Sequence, residues 1–148
     1  MKPPSKARQR TEALQERAIR FSTNVNQCYP VSRMTHPSEI VWGQLIRAAD
    51  STSNNLVEAD NGSSNADFLN KMRIALREAK ESRTCLRKIR IGALANAQQL
   101  IALGLEQEAD ELAAIFATII INMERRLERE ESERASRRKL KTETETED

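Results

Sequence analysis

The sequence has few of the residues on which several protein classes depend. It contains 2 cysteines, 1 histidine, 4 glycines and 4 prolines, and aromatic residues make up only 3% of it. Two cysteines are too few for a disulfide framework, and His36 alone cannot supply the Glu-x-x-His pairs of a di-iron bundle. Low glycine, proline and aromatic contents beside 31% charged residues favour a helical protein over a sheet sandwich.

Long apolar runs and catalytic motifs are scarce as well. The longest apolar stretch, residues 112–121, is far shorter than the ~20 residues of a membrane span. The basic N-terminus is not followed by the apolar region of a signal peptide. No glycine-rich phosphate loop, CxxC or GxSxG motif occurs. We therefore expect a cytoplasmic protein that is not an enzyme, with no membrane contact, catalytic residue, cofactor or metal.

Apolar residues recur at helical spacing in four segments of the chain. The first predicted helix, residues 11–28, is stopped by Pro30. The second begins near Pro37, because proline suits the first turn of a helix, and ends at the glycine-containing turn of residues 60–62. Short connections of this kind place consecutive helices antiparallel.

The third and fourth helices differ in how clearly their ends are marked. A serine or asparagine at positions 63–65 can cap the third helix, and Gly92 is its predicted end. The fourth helix starts after a turn at either Gly92 or Gly104. We favour a start near Asn96, because the apolar spacing keeps its phase across Gly104.

These helices predict an all-α fold, an up-and-down antiparallel four-helix bundle over residues 11–138. The basic residues 1–10 and the acidic, low-complexity residues 139–148 are predicted to be disordered tails. One shared core is expected to contain the large residues on the apolar sides of the helices, namely Phe21, Leu45, Leu56, Met72, Leu86, Leu112, Phe116 and Ile119.

The third helix has the strongest charge asymmetry. Between residues 71 and 90 it carries eight basic residues and two acidic ones, Glu78 and Glu81. Four basic residues share one side at helical spacing and are candidate contacts for nucleic-acid phosphates: Arg73, Arg77, Lys80 and Arg87. No stacking aromatic lies nearby, so only the backbone of RNA or DNA would be contacted. The alternative is a solvated face whose charges pair with glutamates of a neighbouring helix.

The second helix carries a polar band opposite its apolar side. Together with residues of the third helix it supplies five candidates for a packed polar network or subunit interface: Arg47, Asn55, Glu58, Glu81 and Thr84. In that network Arg47 would pair with Glu58 or Glu81. The alternative is again a solvated face. Trp42 and Ile46, beside small residues, suggest apolar surface available for self-association.

Two segments resemble a family pattern. Residues 44–58, QLIRAADSTSNNLVE, are similar to QLxRAAxSxxxNIAEG, and residues 68–86, FLNKMRIALREAKESRTCL, are similar to FLxxLxIAxxSxxELETxL. The pattern belongs to the bacterial four-helix-bundle family that includes proteins encoded in intervening sequences of large-subunit ribosomal RNA. The chain departs from it at Ser53, Ala59 and Arg83, where the family has Pro, Gly and Glu.

The resemblance implies a homo-oligomer, which in relatives is a ring of five bundles around a central channel. A related accessory protein of diversity-generating retroelements forms such a ring and binds nucleic acid. The function that follows is a non-enzymatic homo-oligomeric bundle, a homopentamer by this resemblance, that binds the RNA or DNA backbone through its third helix. The alternative is a scaffold that binds only protein partners.

Overall fold

Five α-helices make up the fold of the described residues. The computed structural model describes residues 1–147 and contains, with no strand in that range, α1 (Lys6–Gln27), α2 (His36–Asp60), α3 (Asn65–Ile91), α4 (Ala97–Ala102) and α5 (Leu105–Thr146). The all-α prediction is confirmed. The predicted count of four helices is wrong, because the segment expected to form one fourth helix is divided into α4 and α5.

Side-chain caps begin three of the long helices. The hydroxyl oxygens of Ser5, Thr35 and Ser64 each accept a hydrogen bond from the backbone N–H three residues ahead, at 3.1, 3.4 and 3.1 Å. Such caps satisfy N–H groups that have no partner within the helix. Because Ser5 acts as a cap, α1 begins at Lys6, and the structure differs there from the predicted disorder of residues 1–10.

The connection from α3 to α5 contains all three positive-φ residues of the described chain. Gly92 caps the end of α3 as predicted, and Ala93 follows with φ of +47°. Asn96 precedes α4 with φ of +57°, and Gly104 separates α4 from α5 with φ of +64°. Positive φ cannot continue a right-handed helix. The favoured prediction of one helix running through Gly104 is therefore wrong.

Neighbouring long helices pack antiparallel. Their polar contacts run in opposite order along the two helices of each pair, so that a residue early in one helix meets a residue late in the next. The pairs are Arg8–Asp60 and Asn26–Asp50 between α1 and α2, Lys71–Glu58 and Arg47–Glu78 between α2 and α3, and Arg73–Glu124 and Arg90–Glu106 between α3 and α5.

One apolar core joins these helices. Seven of the eight predicted core residues are buried in it, whereas Ile119 is half-buried against it and Ile120 takes the buried position. Trp42 is fully buried; its indole Nε1–H donates to the Ala95 carbonyl oxygen at 2.9 Å, and its ring meets Tyr29 edge to face. Trp42 is therefore core rather than the interface surface suggested by the sequence.

Helix α5 continues well beyond the bundle. Its 42 residues span about 63 Å, and Leu127 is the last of its side chains that packs against the core. Residues 131–147 are all exposed, yet the helix runs to Thr146. The structure thus differs from the predicted disorder of residues 139–148, of which Asp148 lies outside the described residues.

Candidate nucleic-acid and subunit interfaces

The four predicted phosphate contacts lie on the outer side of α3. Spacings of three, four and seven residues keep them on one side of a helix whose opposite side is in the core. The side chains of Arg73, Arg77 and Arg87 are 55%, 70% and 49% exposed, and Lys80 is exposed. The structure thus brings together the residues that the sequence grouped.

Carboxylates of α5 neutralise one edge of this side. The ion pairs are Arg73–Glu124 at 2.9 Å, Arg83–Asp110 at 2.5 Å, Arg87–Glu106 at 3.0 Å and Arg90–Glu106 at 2.8 Å. The hydrogen bond from Arg90 is the main cause that lowers the pKa of Glu106 below its ordinary value. Arg73 and Arg87 are therefore engaged within the bundle, as the alternative of a charge-paired face expects.

Three basic residues of α3 keep their charge outward. Arg77 approaches a carboxylate only at 3.8 Å, that of Glu78, and Lys80 and Lys88 form no ion pair with any residue in the range 1–147. All three are exposed, and their spacing places them along one ridge. We call Arg77, Lys80 and Lys88 the α3 ridge.

The polar network between α2 and α3 centres on Arg47. Its guanidinium donates to Glu78 at 3.2 Å and to Glu81, and the bond from Arg47 is the main cause that lowers the pKa of Glu81. Of the two pairings expected for Arg47, the structure forms the one with Glu81. It adds Glu78, whose side chain is only 7% exposed. The signal for Glu78 was a carboxylate at helical spacing from Ala75, Ala79 and Ser82, on the side of the helix that the apolar spacing turns inward.

The remaining predicted network residues bond elsewhere. Glu58 pairs with Lys71 at 2.8 Å. Asn55 donates to the Ser51 carbonyl oxygen at 2.8 Å on its own helix, and Thr84 donates to a backbone carbonyl one turn earlier at 3.1 Å. The structure therefore does not join Asn55, Glu58 and Thr84 to Arg47, and the predicted band is divided into local contacts.

An open, mainly apolar groove lies between the end of α1 and the start of α2. It is lined by Asn26, Tyr29, Gly43 and Ile46. Tyr29 is 45% exposed. A Cβ atom built at Gly43 would meet nothing within 4 Å, although Gly43 lies inside α2. We call these four residues the α1–α2 groove, which sequence reasoning missed except for Ile46.

A second cleft, of about 300 Å³, opens between the end of α3, α4 and the start of α5. Leu86, Ile89 and Leu100 supply apolar lining. The two arginines that reach it, Arg87 and Arg90, both donate to Glu106. Both guanidinium groups are thus already bonded to one carboxylate of the protein, which neutralises half of their charge.

The thiols and the remaining acidic groups add little reactive chemistry. Cys28 and Cys85 are buried, and burial raises the pKa of both thiols, which disfavours the nucleophilic thiolate. Within residues 1–147, no group of three or more His, Cys, Asp and Glu side chains is placed to hold a metal ion. No helix in the same range is long and apolar enough to cross a membrane.

Comparison with known proteins identifies the family. Residues 11–118 match the model of the 23S rRNA-intervening sequence protein family. The fold is similar to a crystal structure of a protein of unknown function from the S23 ribosomal protein family of Bacteroides thetaiotaomicron, with a TM-score of 0.61, 24% identity, and coverage of 74% of this chain and 96% of that one. No curated protein matches the chain. With the family model covering most of its helices, the chain belongs to the 23S rRNA-intervening sequence protein family.

Proposed function

We propose that the protein is a non-enzymatic homo-oligomeric bundle whose subunits meet at the α1–α2 groove. The observation that carries this proposal is Gly43. Glycine inside a helix costs about 1 kcal/mol relative to alanine, and no atom of this chain lies where its Cβ would be. A close approach by another backbone would explain a residue without a side chain at this position.

The neighbours of Gly43 support this proposal. Tyr29 and Ile46 flank it with apolar surface, and an aromatic residue with a polar end is typical of interfaces. Ile40, one turn before Gly43, is 48% exposed. A ring of five is the stoichiometry that the family resemblance suggests.

Association is tested by the mass in solution. Light scattering at micromolar concentration should give several times the protomer mass of 16.8 kDa. Gly43→Arg should reduce the mass to that of the protomer, because the long side chain fills the groove. Thr118→Arg, at an exposed position of α5, is the matched control and should leave the assembly intact. A monomeric wild type, or an intact Gly43→Arg assembly, would refute the proposal.

Nucleic-acid backbone binding is the second proposed function, and the α3 ridge favours it. Lysine and arginine without a protein carboxylate can exchange counterions for phosphates, and each phosphate neutralised on duplex DNA contributes a salt slope of about −0.9. Three contacts per subunit are weak alone. Repetition of the ridge around an oligomer would add them through multivalency.

A charge-matched comparison tests the ridge. Arg77→Glu/Lys80→Glu/Lys88→Glu should weaken binding of nucleic acid and flatten its salt dependence, measured by fluorescence anisotropy. The control variant, Lys6→Glu/Arg10→Glu/Arg20→Glu, changes the net charge equally at exposed positions of α1 and should bind nearly as the wild type does. If both variants bind alike, the ridge is a solvated face. If the wild type binds no nucleic acid at low salt, the protein-scaffold alternative replaces this function.

A further inference from the structure

The projecting part of α5 carries charge in separate blocks. Residues 128–133 are mainly acidic, residues 134–141 are basic, and residues 143–147 are again acidic. We call residues 134–141 the α5 basic block; its charged members are Arg134, Arg137, Arg138, Lys139 and Lys141. Every residue of the block is exposed.

The charges of the block are not balanced by the fold. In the described part of α5 beyond Leu127, the recorded ion pair is that of Glu130 with Arg126, at 3.7 Å, and no member of the block pairs with a carboxylate of residues 1–147. Arg134 and Arg138 lie one turn apart, as do Arg137 and Lys141. Like charges at this spacing repel each other, so the block concentrates positive charge on this part of the helix.

The shape of the segment limits which phosphates it can reach. The block is about 12 Å long and belongs to a helix about 10–12 Å wide. It is solvated on every side, whereas α3 has one side in the core. A single helix of this width fits the major groove of B-form DNA, which is about 12 Å wide. The major groove of A-form RNA is too deep and narrow for side chains to read.

We propose that the α5 basic block is a binding site for B-form duplex DNA, entering the major groove as a helix with its arginines and lysines on the flanking phosphates. The proposal rests on the nucleic-acid part of the proposed function and names a different site and one class of ligand. Ala135 and Ser136, the small residues within the block, allow the helix to approach the base edges closely.

The first test removes the charge and keeps the helix. Arg134→Gln/Arg137→Gln/Arg138→Gln/Lys141→Gln retains good helix formers. Four phosphate contacts correspond to a salt slope of about −3.6, or about 100-fold in affinity between 50 and 200 mM salt. For binding to a 20-base-pair DNA duplex, the salt slope of the variant should be smaller in magnitude than that of the wild type by about 3.6. The variant should also bind this duplex at least tenfold more weakly at 50 mM salt. Its mass in solution should equal that of the wild type.

The second test removes the helix and keeps the charge. Ala135→Pro interrupts α5 within the block, and duplex DNA should then bind more weakly although every basic residue remains. Deletion of residues 142–148 should tighten binding, because the acidic neighbours are gone. An RNA duplex should be insensitive to Ala135→Pro, whereas the deletion should tighten its binding as well, because the deletion removes negative charge.

The outcomes separate this site from the α3 ridge. Loss of DNA binding in the glutamine variant but not in the ridge variant supports the block and refutes the ridge. The reverse result refutes the block and leaves the proposed function standing. The inference is also overturned if Ala135→Pro binds like the wild type, if the RNA duplex depends equally on the block, or if the glutamine variant changes the mass of the assembly.

Discussion

The two halves of α5 are continuous helix but are held by different forces. In residues 105–127, Leu112 and Phe116 are buried in the core. Carboxylates of the same segment form ion pairs with arginines of α1 and α3. Residues 128–147 are much richer in charge, with 13 charged residues of 20 against 7 of 23 in residues 105–127, and have no contact with the core. The first half is stabilised by tertiary packing, whereas the second depends on its own backbone hydrogen bonds, with the Arg126–Glu130 ion pair at its start.

The same contrast applies to the two basic regions of the chain. On α3 the sequence shows a dense basic stripe, yet much of its charge is taken up by Glu106, Asp110 and Glu124. The α5 basic block has fewer basic residues, and they remain unpaired within the described chain. The number of basic residues on a helix is therefore a poor measure of the charge available to a partner, because the neighbouring helix decides how much is already neutralised.

The largest effect should come from the core half of α5. Leu112→Ala or Phe116→Ala should lower the free energy of unfolding by about 2–5 kcal/mol, because each leaves a cavity in a fully buried site. Leu140→Ala removes the same number of atoms as Leu112→Ala from a side chain that is 62% exposed, and should change stability by less than about 0.5 kcal/mol. Urea denaturation followed by circular dichroism measures both. Equal costs at positions 112 and 140 would show that the two halves do not differ.

The acid limb of the stability curve should report the paired carboxylates of the first half. The pKa of Glu106 is lowered in the folded protein, so its contribution is present above the unfolded pKa of about 4.3 and is lost as the pH falls through the lower folded value. Glu106→Gln should lower the free energy of unfolding by up to about 1 kcal/mol at neutral pH. The free energy of unfolding of this variant should also fall less steeply than that of the wild type below about pH 4.

Glu131 provides the matched control in the projecting half. Glu131→Gln alters an exposed residue outside the bundle and should leave the acid limb as in the wild type. Thermal denaturation from pH 3 to pH 7 compares the variants. If the stability of Glu106→Gln follows the same pH dependence as that of the wild type, the ion pairs between α3 and α5 do not make stability depend on pH.

The smallest effect should be local to the end of α5. Glu143 and Glu145 lie in or next to its last turn, which contains no basic residue, and negative charge is unfavourable at the negative end of the helix dipole. Glu143→Lys/Glu145→Lys should raise the free energy of local helix opening by a few tenths of a kcal/mol per charge. Amide hydrogen exchange over residues 140–146 should then be slower, and the global free energy of unfolding should not change. A change in global unfolding would place this end in contact with the bundle.

Local sequence signals predicted most of the helix ends but not the last connection. Pro37 and the glycine at 92 mark a start and an end of helices because they act on their own backbone. The break at Gly104 was missed, since the apolar spacing continues through it while the backbone takes a positive φ that interrupts the helix. Trp42 was misplaced for a related reason: its apolar side is visible in the sequence, but its bond to the Ala95 carbonyl oxygen needs a distant segment.

The candidate sites were predictable only in part. The outer side of α3 followed from helical spacing. For Arg47 the sequence left Glu58 and Glu81 open as partners, and the structure selects Glu81, which lies on the facing helix. The α1–α2 groove was missed almost entirely, because the open space at Gly43 exists only once α1 lies beside α2. The extent of α5 was missed as well, since low-complexity charge at residues 139–147 resembles a disordered tail.

The sequence by itself determined the all-α class, the cap of α3, and most of the apolar residues of the core, because periodicity and capping depend on residues within one or two turns of each other. The tertiary structure alone decided which arginines are neutralised, where α4 separates from α5, and which part of α5 leaves the bundle. Those outcomes depend on distances between helices far apart in the chain. A charged side chain selects its partner from whatever the fold brings within reach.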